Sequence, residues 1–157
     1  MVRQKFPTDG GVESHVLRIS RLLASRGVNV EVYTSDIDIN WNRVPSGVED
    51  FDGVRVRRHR AVGRVFRNLI IPSLLPSLLT SDADIIHVHG HFYNSTELGF
   101  LAAKLSRKPL VLTPHLQPYS AYPKGLERTL RFAYEHTLDK IMFTRADKVI
   151  AVSPHSE

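Results

Sequence analysis

The sequence predicts an α/β protein: a doubly wound, Rossmann-like domain built on a parallel sheet. Segments whose apolar residues recur at helical spacing alternate along the chain with short runs rich in β-branched side chains. Some of those runs, such as Leu110-Val111-Leu112, are apolar without a break, the pattern of strands covered on both faces. Polar residues gather at the carboxyl ends of the predicted strands, at Thr34-Ser35, His87 to His91, Thr113 to His115 and Ser153. Ligands bind beyond those ends in doubly wound sheets.

In order, Val12, Val16, Ile19, Leu22 and Leu23 predict a helix from Gly11 to Arg26, with Gly27 as its left-handed stop. Val28, Val30 and Val32 alternate with polar residues and predict a strand to Thr34. Asp36 to Gly47 is polar and reads as a loop. Val48 to His59 reads as a hairpin turning at Asp52-Gly53, with Val54 and Val56 on one face. A proline-interrupted helix is expected over Leu69 to Leu79, then a strand over Asp84 to His89. Asn94 is expected to cap the next helix, with Glu97 reaching back and Leu98, Leu101, Ala102 and Leu105 on its inward face. Pro109 to Thr113 reads as a buried strand and Gly125 to Arg145 as a long amphipathic helix, Leu126, Leu130, Ala133, Leu138 and Ile141 inward. Lys148 to Val152 reads as a last buried strand.

The chain of 157 residues is 42% hydrophobic and 24% charged, a composition that supports one globular core and excludes a disordered chain. It has no cysteine, which excludes disulfides, thiolate metal sites and thiol nucleophiles. Met1 to Gly11 lacks the apolar core of a signal peptide. The longest apolar stretch, Leu69 to Leu79, is interrupted by Pro72 and Pro76 and falls short of the roughly 20 residues a membrane helix needs. A net charge of +5 favours anionic partners. Much of that excess lies in Arg55, Arg57, Arg58, Arg60, Arg64 and Arg67, read as a solvated strand edge and loop. Without interleaved aromatics or a recognisable module, the run gives no case for nucleic acid.

Several residues carry chemistry. Gly10 and Gly11 open a helix where bare amides and the helix dipole suit an anion, although a strand-to-helix turn needs glycine for itself. His115 follows a strand and projects from its carboxyl end; an isolated histidine there is either a loop residue or a hydrogen-bonding group for a ligand. His87, His89 and His91 alternate, which suggests a metal site, but no matching ligand set follows and Gly90 breaks the strand before His91. His89 reads as a cleft residue and His87 as structural. Ser153 either caps a helix starting at Pro154 or touches substrate. A triad of Ser153, His15 and Asp139 lacks the nucleophile elbow that would support it. Asn94-Ser95-Thr96 matches a glycosylation acceptor, better explained by helix capping.

Read together, these segments resemble glycosyltransferase family 4. The resemblance runs through Phe6-Pro7-Thr8-Asp9-Gly10-Gly11-Val12-Glu13-Ser14-His15-Val16, Glu31-Val32-Tyr33-Thr34 and Gly53-Val54-Arg55-Val56. It continues through Asp84-Ile85-Ile86-His87-Val88-His89-Gly90, Pro109 to His115 and Ala146 to Ser153. The first of these looks especially like phosphatidylinositol glycosyltransferases.

The resemblance implies the N-terminal, acceptor-side domain of a two-domain GT-B enzyme. Such an enzyme transfers a sugar from a nucleotide-sugar co-substrate to a hydroxyl acceptor with retention, without other cofactor. It implies that His115 is the essential cleft histidine, that Gly10 and Gly11 contact a phosphate, that His89 and Ser153 line the substrate site, and that the histidine-rich turn holds no metal. The nucleotide-binding domain is absent from residues 1–157, and the family's first apolar strand is represented only by Met1-Val2. These residues are therefore expected to be inactive alone. The implied setting is cytoplasmic; a lipid-linked acceptor would bring Leu69 to Leu79 to the inner membrane face, against the competing role of packing on the sheet. The alternatives are a metal-dependent hydrolase using His87, His89 and His91, and a non-catalytic binding domain.

Overall fold

A computed structural model describes residues 10–38, 40–65, 68–90, 93–115 and 125–152. It is a mixed α/β, Rossmann-like domain. Helix α1 (Gly11–Ala24) leads into β1 (Glu31–Ser35), followed by β2 (Gly47–Phe51), β3 (Val54–His59), β4 (Gly63–Val65) and β5 (Asn68–Ile70). Helix α2 (Leu74–Leu79), β6 (Ile86–His89), α3 (Asn94–Ser106) and β7 (Leu110–Thr113) come next. The last part is α4 (Leu126–Tyr134), a π-helical turn (Glu135–Asp139), α5 (Lys140–Arg145) and β8 (Lys148–Val149).

Among the described residues the strands form two parallel ladders. In one, β1 pairs parallel with β3, which pairs antiparallel with β2 across a turn at Asp52 and Gly53, both at positive φ. In the other, β6, β7 and β8 lie parallel in that order, α3 crossing from β6 to β7 and the α4–α5 helix from β7 to β8. A short hairpin, β4–β5, lies apart.

Adjacent residues of β1 go to opposite cores. Val32 joins Val16, Val54 and Val56 beneath α1. Tyr33 joins Leu69, Ile71, Leu74, Val88, Leu110 and Leu112 on the other face. Coverage on both faces is what a doubly wound sheet requires. Val54 and Val56 are wholly buried, each contributing about 1.5–3 kcal/mol by transfer from water.

Several expectations change. The predicted helix over Leu69 to Leu79 is β5 plus the short α2, because Pro72 lies in the turn between them. Leu69, Ile71, Leu74 and Leu78 all pack into the core, so packing is the role of that segment's buried side. The first strand begins at Glu31, leaving Val28 exposed, and Leu22 on α1 is exposed as well. Asn94 does not cap α3. It is the first helical residue, Tyr93 takes the cap position, and the Asn94 side-chain amide donates to the Leu69 carbonyl at 3.1 Å.

The inward face of α3 is Ser95, Thr96, Gly99, Ala102 and Ala103, with Leu98 packed beside it; of the expected residues Leu98 and Ala102 face the core, and Leu101 and Leu105 turn to solvent. Small residues let the helix lie close to its neighbours, which periodicity in large apolar residues does not reveal. On the final helix Leu126, Leu130, Ala133, Leu138 and Ile141 are exposed, while Tyr134, Asp139 and Met142 are buried. The π turn adds a residue to that helix and rotates the residues after it by roughly 100° against an unbroken repeat. Strand β8 is two residues long and exposed, lying at the sheet edge. Arg58 is not solvated: it is buried and paired with Glu49. Arg67 lies outside the described residues, as do Phe6 to Asp9 of the first motif.

The loop after β1 is held by Asp36, whose side chain is 2% exposed. Its Oδ1 accepts the Ala61 amide at 2.9 Å and its Oδ2 pairs with Arg43. Arg43 also donates to the Ala61 carbonyl at 3.1 Å.

Candidate functional site

The carboxyl ends of β6 and β7 are tied together beyond the ladder. Gly90 donates its amide to the Thr113 carbonyl at 2.8 Å, and His87 Nε2 hydrogen-bonds Thr113 Oγ1 at 2.8 Å. That bond suits a structural His87. Gly90 has φ 86°, so the strand ends at His89 as expected. Its α-carbon also faces the Tyr93 ring, where an added Cβ would lie 2.8 Å from a ring carbon.

His89 is buried at the last position of β6, its carbonyl accepting from Thr96 Oγ1 of α3 at 3.2 Å. His115 is half-buried just past β7, with φ 48°. A non-glycine residue at positive φ is uncommon and marks a locally strained backbone. Its Nε2 lies 3.3 Å from His89 Nδ1.

A third ring completes the cluster. His15, on the second turn of α1, has its centroid 5.0 Å from that of His115 and 5.9 Å from that of His89, edge-on to both. Burial pushes the His87 and His115 imidazoles down to about 4 and lowers His89 further, with like-charge repulsion among the rings acting in the same direction. These three imidazoles are therefore uncharged at neutral pH.

Gly10 takes the N-cap position of α1 with extended φ and ψ, and its carbonyl accepts from Ser14 at 2.8 Å. The two glycines differ. A Cβ at Gly10 would collide with the Glu13 carboxylate, whereas one at Gly11 would meet nothing within 4 Å. At Gly10 the nearest atoms an added Cβ would meet are those of the Glu13 side chain, and Gly11 has open space at the helix start.

The expected site residues His89, His115, Gly10 and Gly11 therefore lie on the α1 start and the ends of β6 and β7. Ser153 and His91 lie outside the described residues. Sequence reasoning names His15 in the first family motif and in a serine triad but not as a site residue; its place beside His89 and His115 comes from the packing of α1, which no local spacing reports. Among the described residues no helix is long and apolar enough to cross a membrane.

Residues 9–157 match the sequence model of Glycosyltransferase Family 4. The chain belongs to that family. An uncharacterized glycosyltransferase of Methanocaldococcus jannaschii is 27% identical over 94% of this chain and 39% of its own length. A D-inositol 3-phosphate glycosyltransferase of Kineococcus radiotolerans is 34% identical over 68% of this chain and 26% of its own length. The enzyme of the same name from Nocardiopsis dassonvillei is 33% identical over the same shares. This family 4 chain thus spans between about a quarter and two fifths of the length of these relatives.

Proposed function

We propose that this chain supplies the acceptor side of a retaining glycosyltransferase that moves a sugar from a nucleotide-sugar to a hydroxyl of a phosphate-bearing acceptor. The observation that carries the reading is His115, brought to the carboxyl end of β7 against His89 and near the α1 start. Held neutral by burial, its imidazole hydrogen-bonds a sugar or acceptor hydroxyl without adding charge. The open space at Gly11 admits a phosphate to the first amides of α1. Ser153 belongs to the same substrate surface in this reading. The names of the inositol phosphate relatives support an acceptor of that class.

Residues 1–157 form the acceptor domain alone and do not turn over without a nucleotide-sugar domain. The protein works in the cytoplasm, at the inner membrane face when its acceptor is lipid-linked. The net charge of +5 and the exposed Arg55 and Arg60 support that contact, and co-sedimentation with anionic vesicles tests it.

The central test is titration of the chain with D-inositol 3-phosphate, followed by amide chemical shifts. Saturable shifts at Gly11 and His115, lost in His115→Asn, are expected. No binding at those residues would remove the acceptor-side reading. Sugar transfer by the isolated chain from any nucleotide-sugar would overturn the claim of inactivity.

A further inference from the structure

The rings of His15, His89 and His115 come from α1, β6 and the turn after β7, and one ring nitrogen from each lies within 4.8 Å of the others. His15 Nε2 is buried and without a hydrogen-bond partner among the described residues. A buried, unpaired ring nitrogen is costly and calls for an occupant.

We propose that His15, His89 and His115 together bind one divalent transition-metal ion, for which zinc is the best fit. Three imidazoles with an open fourth position are a known zinc donor set, and tetrahedral bonds of about 2.0–2.1 Å place the ligand nitrogens roughly 3.3–3.4 Å apart. The His89–His115 pair already stands at 3.3 Å. A turn of the half-buried His15 side chain closes the remaining gap, and coordination answers its unpaired nitrogen. Water or a ligand oxygen fills the fourth position. The site differs from the alternation of His87, His89 and His91 along one strand, sharing only His89 with it. Its three ligands come from separate elements, so the ion cross-links α1 to the β6–β7 ladder.

The test uses the full chain, untagged and freed of metal with a chelator, and reads binding rather than transfer. Zinc competition against a chromophoric chelator should give one ion per chain with Kd of roughly 1 µM or tighter. Cobalt should give the intense visible absorption of a four-coordinate site. His15→Gln and His115→Gln should each weaken zinc on the order of 100-fold, and His136→Gln, on the exposed part of the last helix, should not. Zinc should raise Tm of the parent chain and not of the His15 variant. Circular dichroism checks that each variant folds. Should His89→Gln fail to fold, the two half-buried histidines decide the matter. No stoichiometric zinc, or affinity unchanged by His15→Gln and His115→Gln, overturns the proposal, and either result leaves the acceptor-side reading standing.

Discussion

His89 Nδ1 and His115 Nε2 approach to 3.3 Å across the carboxyl ends of two parallel strands. The contact depends on the backbone at His115 holding φ 48°. Asparagine tolerates that region better than alanine, so His115→Asn separates loss of the ring from loss of the turn. In a transferase containing both domains, His115→Asn should lower kcat/KM by about 100-fold or more with little change in stability. Steady-state kinetics and urea melts on the same variant check both parts.

Gly11→Ala tests whether the open space at the start of α1 serves a ligand. With nothing within 4 Å of the added methyl, the helix should gain about 0.5 kcal/mol. Affinity for D-inositol 3-phosphate should fall by on the order of tenfold as the methyl blocks approach to the amides. Unchanged binding in a stabilised variant would assign Gly11 to the turn alone.

Gly90→Ala meets both a left-handed backbone and the Tyr93 ring 2.8 Å from the new carbon. It should cost about 2 kcal/mol or more. The urea midpoint should fall while the slope m stays constant.

Asp36→Ala removes a buried carboxylate and leaves the Ala61 amide and Arg43 without it. A loss of about 2–4 kcal/mol is expected. Arg43, half exposed, should keep part of its hydration, so Arg43→Ala should cost more than a surface pair does because the buried Asp36 then lies unpaired. Denaturant melts of both variants and the double variant give the coupling.

His59 carries a pH dependence. Burial, then the Arg57 charge, lower its pKa from 6.5, against the opposing Glu31 carboxylate; its Nδ1 meets Ser73 Oγ at 2.9 Å and its ring stacks on Tyr33. The unfolded chain binds this proton more readily than the native one, so stability is full above pH 6.5 and falls as pH drops below it. Melts at descending pH should show a shallower fall in His59→Gln. An identical slope in both proteins would mean that His59 contributes nothing to it.

Much of the architecture is legible because it is written in local periodicity. The strand pattern over Leu110-Val111-Leu112 and the Asp52-Gly53 hairpin turn appear as expected. The inward face of α3 is legible in part and that of the last helix is not. On α3 Leu98 and Ala102 face the core as expected, but closeness selects Gly99 and Ala103 over Leu101 and Leu105, and on the last helix a π turn shifts the phase. Arg58 reads as solvated because a sequence does not show that Glu49 lies across the hairpin to receive it.

The sequence by itself determined the α/β class, membership of glycosyltransferase family 4, and the concentration of histidines and glycines at strand ends and a helix start. Only the tertiary structure decided which of those histidines meet. The two strand-end residues and the helix residue His15 are far apart along the chain and share no local period. Their rings come together because β6 and β7 run parallel in register and α1 packs so that its second turn reaches the same edge. Local backbone preferences specify helices and strands, whereas the contact between their ends comes from how the covered faces pack.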